Sequence, residues 1–177
     1  MRLCHKEKPS ETVQVLSEEE KRMHRCCFTE HRPEKLIRSE KEIKAALREE
    51  INLAIQDGLT VFITGMARGV DLWAAEIVLD LRKRNQAIKL ICAIPHEGFE
   101  ARWSAEWKHL YRYIQDNADL VRVIGKGYYS GVYQIRNEWM VNHSARLIAV
   151  FNGQPSGTKN TIDYAECRGV PVRIIEG

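Results

Sequence analysis

Features that mark several specialised protein classes are scarce or missing in this chain of 177 residues. Its five cysteines are an odd number with no Cys-x-x-Cys pair, so neither a disulfide framework nor a zinc finger is indicated. No apolar run approaches the roughly 20 residues that cross a bilayer, and the first residues lack a signal-peptide pattern. We therefore expect a cytoplasmic protein with no membrane contact, no metal and no bound cofactor.

A large excess of one charge is also missing, because 27 Lys and Arg stand against 24 Asp and Glu for a formal net charge of +3. This charge is too small to require a nucleic acid as partner. With 44% hydrophobic and 29% charged residues, the composition is that of one folded domain and excludes disorder along the whole chain. A single core at this length can remove roughly 70% of the unfolded surface from water, so folding needs no structural metal.

The pattern of apolar residues divides the chain into a polar start and one α/β domain. Residues 1–22 are mostly polar, and we predict a flexible or loosely docked extension there, followed by a domain over residues 23–177. Within the domain, short apolar runs alternate with longer segments of helical period, which is typical of a parallel sheet with helices. The predicted strands are 25–29, 60–64, 88–94, 120–124, 147–151 and 170–175.

A helix is predicted in each gap between these strands. The first begins at a capping box formed by Ser39 and Glu42 and ends at Asp57 and Gly58. The remaining helices are predicted over 70–84, 104–115, 130–143 and from 157 to just before 169. Together these elements predict a Rossmann-like, doubly wound, mostly parallel sheet of about six strands with helices on both faces.

Two groups of apolar residues are assigned to the core. Cys26 and Cys27 are neighbours in a predicted strand, where successive side chains point to opposite faces, so we expect one of them to be buried and simply packed. The third predicted helix has an apolar stripe that is more typical of a core than of a stacking platform, formed by Trp103, Trp107, Tyr111 and Ile114.

Candidate ligand residues lie in the loops that follow the strands. Open α/β sheets bind ligands beyond the carboxyl ends of their strands, because helix N-termini present free N–H groups to anions there. Three such loops combine small or hydroxyl residues with a turn former, namely 29–33, 64–71 and 153–158. Glycine allows close backbone approach, and hydroxyl or guanidinium groups complete an anion shell. These three loops are therefore candidate phosphate-binding loops.

Most of these candidates also have a purely structural interpretation. Ser156, Gly157 and Thr158 either bind phosphate or cap the last predicted helix. Gly65 and Gly69 either admit a ligand or let the second predicted helix pack closely on the sheet. Their spacing matches neither the Rossmann fingerprint nor a P-loop, so the pattern alone leaves both interpretations open.

Four further residues carry the same ambiguity. Asp71 can accept ribose hydroxyls or complement the dipole of the second predicted helix. Arg136 and Asn137 either face the sheet edge and contact a phosphate or base, or lie on a solvated helix face. His31 is a proton donor, a phosphate contact, or a solvated loop histidine.

Taken together, four segments resemble the YspA/YpsA-like branch of the SLOG superfamily over residues 23–175. The segments are Cys26-Cys27-Phe28-Thr29-x-His31-Arg32-Pro33, Gly65-x-Ala67-x-Gly69-Val70-Asp71, Arg136-Asn137 and Ser156-Gly157-Thr158. This superfamily joins DNA-processing protein A to the Lonely-guy cytokinin-activating enzymes, all with a Rossmann-like fold. The resemblance implies a bacterial protein with a pocket for a nucleotide or nucleotide-derived ligand. It assigns to the pocket Thr29, His31, Arg32, Gly65, Ala67, Gly69, Asp71, Arg136, Asn137, Ser156, Gly157 and Thr158.

Two positions depart from the patterns of these relatives. Glu30 stands where relatives usually have glycine, and its carboxylate would repel a phosphate unless it turns outward. Thr161 stands where the Lonely-guy motif Pro-Gly-Gly-x-Gly-Thr-x-x-Glu has its catalytic glutamate. Threonine cannot act as a general base, so phosphoribohydrolase activity would need a carboxylate such as Glu138 or Asp163 instead.

The resemblance therefore implies a sensor or regulator that binds a nucleotide derivative, such as a ribose-phosphate or ADP-ribose-like ligand. One alternative is a nucleotide or N-glycosidic hydrolase related to the Lonely-guy enzymes. Another is a single-stranded DNA-binding protein of the DNA-processing type, which the low net charge disfavours. A homo-oligomer is compatible with the superfamily, but no residue pattern indicates its size.

Overall fold

A computed structural model describes residues 16–177 and contains one six-stranded, all-parallel sheet. The strand order is β4-β3-β2-β1-β5-β6. The strands are β1 (Arg25–Glu30), β2 (Val61–Thr64), β3 (Lys89–Ile94), β4 (Leu120–Val123), β5 (Arg146–Phe151) and β6 (Val172–Glu176). The predicted doubly wound Rossmann-like fold is confirmed.

Helices fill every gap between the strands, as predicted, and one short helix precedes the sheet. They are α1 (Glu18–Arg22), α2 (Glu40–Gln56), α3 (Val70–Arg82), α4 (Ala105–Asn117), α5 (Val132–Asn142) and α6 (Gly157–Cys167). The predicted capping box of α2 is formed, since Ser39 Oγ accepts the Glu42 N–H and the Glu42 carboxylate accepts the Ser39 N–H at 2.9 Å. Local capping therefore placed this helix start correctly.

The core has two layers, one on each face of the sheet. Helices α2, α3 and α4 cover one face, and α5 and α6 cover the other. Tyr111 is buried and Trp103 and Trp107 pack against the first layer, which confirms the predicted apolar stripe. Cys26 and Cys27 lie in different layers and are both fully buried. The expectation of one buried cysteine is wrong because β1 is a central strand with both faces covered.

Burial also makes the Cys27 thiol unreactive. It raises the pKa of the Cys27 thiol to about 12, so the reactive thiolate is scarce at neutral pH. The packed interpretation of this cysteine is thereby supported.

Most of the predicted extension over residues 1–22 lies outside the described residues, and its separation from the domain stays a prediction. Its described end contains α1, whose start is capped by Ser17. Glu18 in this helix pairs with Arg25 of β1 at 3.3 Å. None of the helices described over residues 16–177 is long and apolar enough to cross a membrane.

The strand order reverses at β1, which pairs with β2 on one side and with β5 on the other. The chain winds outward from β1 to β4, then returns through α5 to β5. At such a switch point the neighbouring loops leave in opposite directions and open a crevice at the carboxyl edge. The loops after β1 and β5 flank this crevice, and the loop after β2 lies beside them.

Candidate functional site

The loops singled out in the sequence meet at the carboxyl edge of the sheet around β1. His31 continues the pairing of β1 with β5 by donating its N–H to the Val150 carbonyl at 3.2 Å. Gly69, which begins α3, packs so closely on the Pro33 ring that a Cβ at this position would overlap it. The loops after β1, β2 and β5 therefore form one continuous surface.

A buried charged cluster lies beneath this surface. Asp71 on α3 is 2% exposed, and Arg136 on α5 is 6% exposed. Arg136 Nη1 lies 3.9 Å from Asp71 Oδ2 and donates a hydrogen bond to the Gly65 carbonyl. Asp71 Oδ2 also accepts the Ala67 N–H at 3.0 Å. Asp71 and Arg136 thus hold the loop after β2 from two sides.

Arg136 is accordingly not on a solvated helix face, and that interpretation is wrong. Its side chain reaches from α5 to the loop after β2, because α5 lies in the crossover that returns the chain from β4 to β5 beside β1. Its Nε donates to Asn137 Oδ1 at 2.8 Å. The guanidinium is therefore committed to protein partners, and a phosphate could reach it only by displacing some of them.

Glu30 ends β1 beside this cluster and is only partly exposed. Its carboxyl lies close enough to Asp71 and Arg136 to interact with both charges. Burial first, and then the negative charge of Asp71, raises the pKa of Glu30 well above its usual value. Burial likewise raises the pKa of Asp71, while the Arg136 guanidinium opposes this increase. A protonated Glu30 beside an ionised Asp71 and a cationic Arg136 gives the cluster no net charge.

One carboxylate oxygen of Asp71 lacks a donor. Asp71 Oδ1 is buried and has no hydrogen-bond partner among the described residues. A protonated Glu30 can donate to it, whereas two ionised carboxylates would repel each other in a poorly solvated site. A Glu30 carboxyl that keeps its proton repels a phosphate less than an ionised carboxylate does, so the raised pKa of Glu30 weakens the predicted repulsion.

A pH dependence of stability follows from the raised pKa of Glu30. The folded protein binds this proton more tightly than the unfolded chain, so the free energy of unfolding falls as pH rises above about 4.5 toward the folded pKa. We expect Glu30→Gln to flatten this fall as pH rises above about 4.5, because glutamine has no proton to release. Urea unfolding of both proteins across this range measures it.

The control for this prediction is Glu166→Gln, which neutralises an exposed carboxylate in the last turn of α6. Its stability should follow the wild-type pH profile. The charge-neutral assignment of Glu30 is contradicted if Glu30→Gln also keeps the wild-type slope.

Asn137 and Thr161 connect α5 to α6. Asn137 Nδ2 donates to Thr161 Oγ1 at 2.9 Å, and Thr161 Oγ1 donates to the Gly157 carbonyl at 2.8 Å. Thr161 is fully buried in this relay, so it positions the start of α6. The two carboxylates weighed as substitutes are engaged elsewhere, Glu138 with Gln134 and Asp163 with Lys159.

The start of α6 forms the more open half of the site. Ser156 Oγ accepts the Lys159 N–H at 3.2 Å, so Ser156 does cap the helix. Thr158 is buried, whereas Gly157 is exposed and nothing lies within 4 Å of a Cβ built there. No acidic residue lies in the first turn of α6. Its free amides and positive dipole end are therefore available to an anion.

Across the switch point from α6, the loop after β1 offers two basic side chains. Arg32 is exposed, and no carboxylate of residues 16–177 lies within ion-pair distance of it. His31 is buried and stacks on Phe151, with ring centroids 5.3 Å apart. The solvated interpretation of His31 is therefore wrong, because its backbone continues the pairing of β1 with β5 and its ring is buried against Phe151. Burial, followed by the charge of Lys35, lowers the pKa of His31, and its Nε2 has no partner among the described residues.

The remaining predicted site residues have supporting positions. Thr29 is buried in β1, whereas Gly65 is buried beneath the Arg136 guanidinium, so close that a Cβ would overlap it. Ala67 contributes its N–H to Asp71. Among residues 16–177 there is no group of three or more His, Cys, Asp or Glu side chains able to hold a metal ion.

Sequence reasoning missed two features of this edge. One is the role of Glu30 as a partner of Asp71, for which a charged residue at the end of a buried strand was the available signal. The other is His96, which follows β3 at the same edge and is buried with Nε2 unpartnered among the described residues. Its position directly after Pro95 at a strand end could have drawn attention to it.

The fold and the loops gathered at its switch point define a Rossmann-like α/β protein. Within this class the chain belongs to the YspA SLOG family, whose model matches residues 26–170. It is 30% identical over 130 residues to a UPF0398 protein of Bacillus thuringiensis (strain Al Hakam), covering 72% of this chain and 71% of that protein. It is 37% identical over 117 residues to the uncharacterized SPbeta prophage-derived protein YoqJ of Bacillus subtilis (strain 168), covering 59% of this chain and 68% of YoqJ.

Two solved structures share the fold. DNA processing protein A from Helicobacter pylori, described with its single-stranded DNA binding mode, superposes with a TM-score of 0.63 at 17% identity, over 90% of this chain and 68% of that chain. DNA processing protein A from Streptococcus pneumoniae gives a TM-score of 0.61 at 21% identity, over 88% of this chain and 51% of that chain. At these identities the likeness concerns the fold alone.

Proposed function

We propose that this protein binds a nucleotide-derived ligand whose phosphate contacts the first turn of α6. The observation that carries the proposal is the arrangement across the switch point. The capped but open start of α6 follows β5, and the loop after the neighbouring β1 carries Arg32, which is exposed and has no ion pair within residues 16–177. Backbone amides at a helix start and a guanidinium are the donors that phosphate prefers.

The cluster of Glu30, Asp71 and Arg136 supports this assignment. With Glu30 protonated, no uncompensated carboxylate faces the incoming anion. Asp71 and Arg136 then act by holding the loop after β2 in shape, while Arg32 and the amides of α6 make the phosphate contacts. His31 Nε2 is buried, has no hydrogen-bond partner within residues 16–177 and follows β1 at the same edge, which supports a further polar contact with the ligand.

The test is a thermal-shift and calorimetric titration with AMP, ADP, ADP-ribose and ribose 5-phosphate. A ligand at 100 times its dissociation constant stabilises the fold by about 2.7 kcal/mol, which raises the unfolding midpoint by roughly 5–10 °C for a domain of this size. We expect Arg32→Gln to weaken binding by about 10- to 150-fold, the effect of losing a charge-assisted hydrogen bond.

The matched control is Arg84→Gln, which removes one exposed positive charge after α3 at the opposite edge of the sheet. It should bind as the wild type does. The proposal fails if none of the four compounds shifts the wild-type protein, or if both arginine variants bind equally well.

Single-stranded DNA is the second candidate ligand. It is favoured by the fold shared with DNA processing protein A from H. pylori and by exposed Tyr128 at the same sheet edge. The net charge of +3 argues against binding through many phosphates. Fluorescence anisotropy with a labelled oligothymidylate at increasing salt distinguishes the two, since DNA binding falls steeply with salt. Unchanged anisotropy at low salt removes this candidate.

A further inference from the structure

A cluster of aromatic rings follows β3 and β4 at the carboxyl edge, and neither the core nor the proposed phosphate site accounts for it. His96 lies at its centre, with ring centroids 5.8 Å from Phe99, 5.7 Å from Tyr128 and 6.1 Å from Tyr133. Tyr128 and Tyr133 are themselves 6.1 Å apart. The residues come from three separate loops or helices, so only the fold brings them together.

The outer rings of this cluster remain open to solvent. Tyr128 is 71% exposed and Tyr133 is 39% exposed. Large aromatic rings that serve only packing are normally covered, because most of their stabilisation comes from removing apolar area from water. Two exposed rings against a buried imidazole instead form a surface on which another flat group can stack.

His96 supplies the second, independent sign of a ligand. It is 9% exposed, and its Nδ1 is within hydrogen-bond distance of the Glu97 carbonyl at 2.9 Å. Its Nε2 is buried with no partner among the described residues. A buried polar atom without a partner is unfavourable, and a polar group of a bound ligand would satisfy it.

Helix α5 carries one residue of the aromatic cluster and one residue of the buried charged cluster. Tyr133 and Arg136 are three residues apart and therefore lie on the same side of this helix. The phosphate site at the start of α6 follows β5, which is three strands away from β3. At the usual strand spacing this separation is roughly 14 Å. A single ligand can occupy both places only if it is extended.

We propose that the cluster of His96, Tyr128 and Tyr133 is a base-binding subsite of the same ligand pocket. The base stacks on the tyrosine rings, and His96 Nε2 bonds to a polar atom at its edge. The ligand class is then an extended nucleotide with a second phosphate or sugar group, as in a nucleoside diphosphate sugar. This inference rests on the proposed function, because it assumes that the other end of the ligand is at α6.

The test compares ADP-ribose, which has a base, with ribose 5-phosphate, which has none, by isothermal titration calorimetry. Tyr128→Ala should weaken ADP-ribose binding by about 5- to 150-fold, the range measured for base–aromatic stacking. Binding of ribose 5-phosphate should not change. Tyr128→Phe, which keeps the ring, should retain ADP-ribose affinity. Because Tyr128 is largely exposed, its replacement leaves the fold intact.

The control is Tyr113→Ala, which removes an exposed tyrosine near the end of α4, remote from this edge. The base subsite is refuted if ADP-ribose does not bind, if Tyr128→Ala leaves its affinity unchanged, or if the variant weakens both probes equally. The phosphate site fails separately if Arg32→Gln has no effect on either probe. Loss with Tyr128→Ala but not with Arg32→Gln would retain the stacking contact and reject the phosphate assignment.

Discussion

Replacing Arg136 with alanine is expected to lower the free energy of unfolding by about 3–5 kcal/mol, the usual cost of removing one partner of a buried ion pair. Both side chains are nearly inaccessible, and Arg136 is the cation closest to Asp71 in the cluster. Its removal leaves a buried carboxylate uncompensated and deprives the Gly65 carbonyl of a donor. Urea unfolding followed by circular dichroism measures the loss.

The control for this prediction is Arg48→Ala, which breaks an ion pair with Asp80 at 3.0 Å. Both of these side chains are about half exposed, so the expected change is at most about 1 kcal/mol. A double variant, Arg136→Met with Asp71→Asn, should recover part of the loss because no buried charge remains unpaired. A loss below about 1 kcal/mol for Arg136→Ala would show that the pair is solvated.

This expectation changes how Arg136 variants are used in binding experiments. A variant that loses several kcal/mol of stability also loses the shape of the loop after β2, so reduced ligand binding would not identify a phosphate contact. Arg32 is the better probe, because it is exposed and has no ion pair among the described residues.

Replacing Gly69 with alanine is the second large effect that we expect. Gly69 has a φ of +105°, which L residues rarely adopt, and its Cβ would overlap Pro33 Cγ and lie 2.6 Å from Pro33 Cδ. Backbone strain of about 1–3 kcal/mol adds to a similar cost of overpacking, so we expect a loss of about 2–6 kcal/mol in the free energy of unfolding. Urea unfolding measures it.

The same replacement should separate the loops after β1 and β2, because Gly69 and Pro33 are where they touch. The control is Gly127→Ala, since nothing lies within 4 Å of a Cβ there and its φ is not positive. That variant should remain close to the wild type in stability. Equal stabilities for the two alanine variants would show that the loop contact can relax at no cost.

Local features of the sequence were enough to predict the elements of this fold. The start of α2 depends on Ser39 and Glu42, which are three residues apart and form their hydrogen bonds within one turn. The strand runs and helical periods are likewise read within short windows. The observed bounds of α3 and α4 accordingly differ from the predicted ones by only one or two residues.

Residue contacts at the site were harder to predict, because they join segments far apart in the chain. Arg136 reaches Gly65 only because α5 returns across the sheet edge. Glu30 interacts with Asp71 and Arg136 only because the fold brings β1, α3 and α5 to one edge of the sheet. From the sequence, either residue could equally have faced solvent.

By itself, the sequence determined the α/β class, the strand and helix positions and the loops at which polar residues gather, because each depends on neighbours a few residues away. The tertiary structure determined which candidate side chains are buried and hold the loops in place, and which are exposed to solvent. Asp71 and Arg136 are buried together, whereas Arg32 is exposed and has no ion pair within the described part of the chain. The physical reason is desolvation: a charge brought under the sheet edge needs a partner there, and only the strand order determines which side chain supplies it.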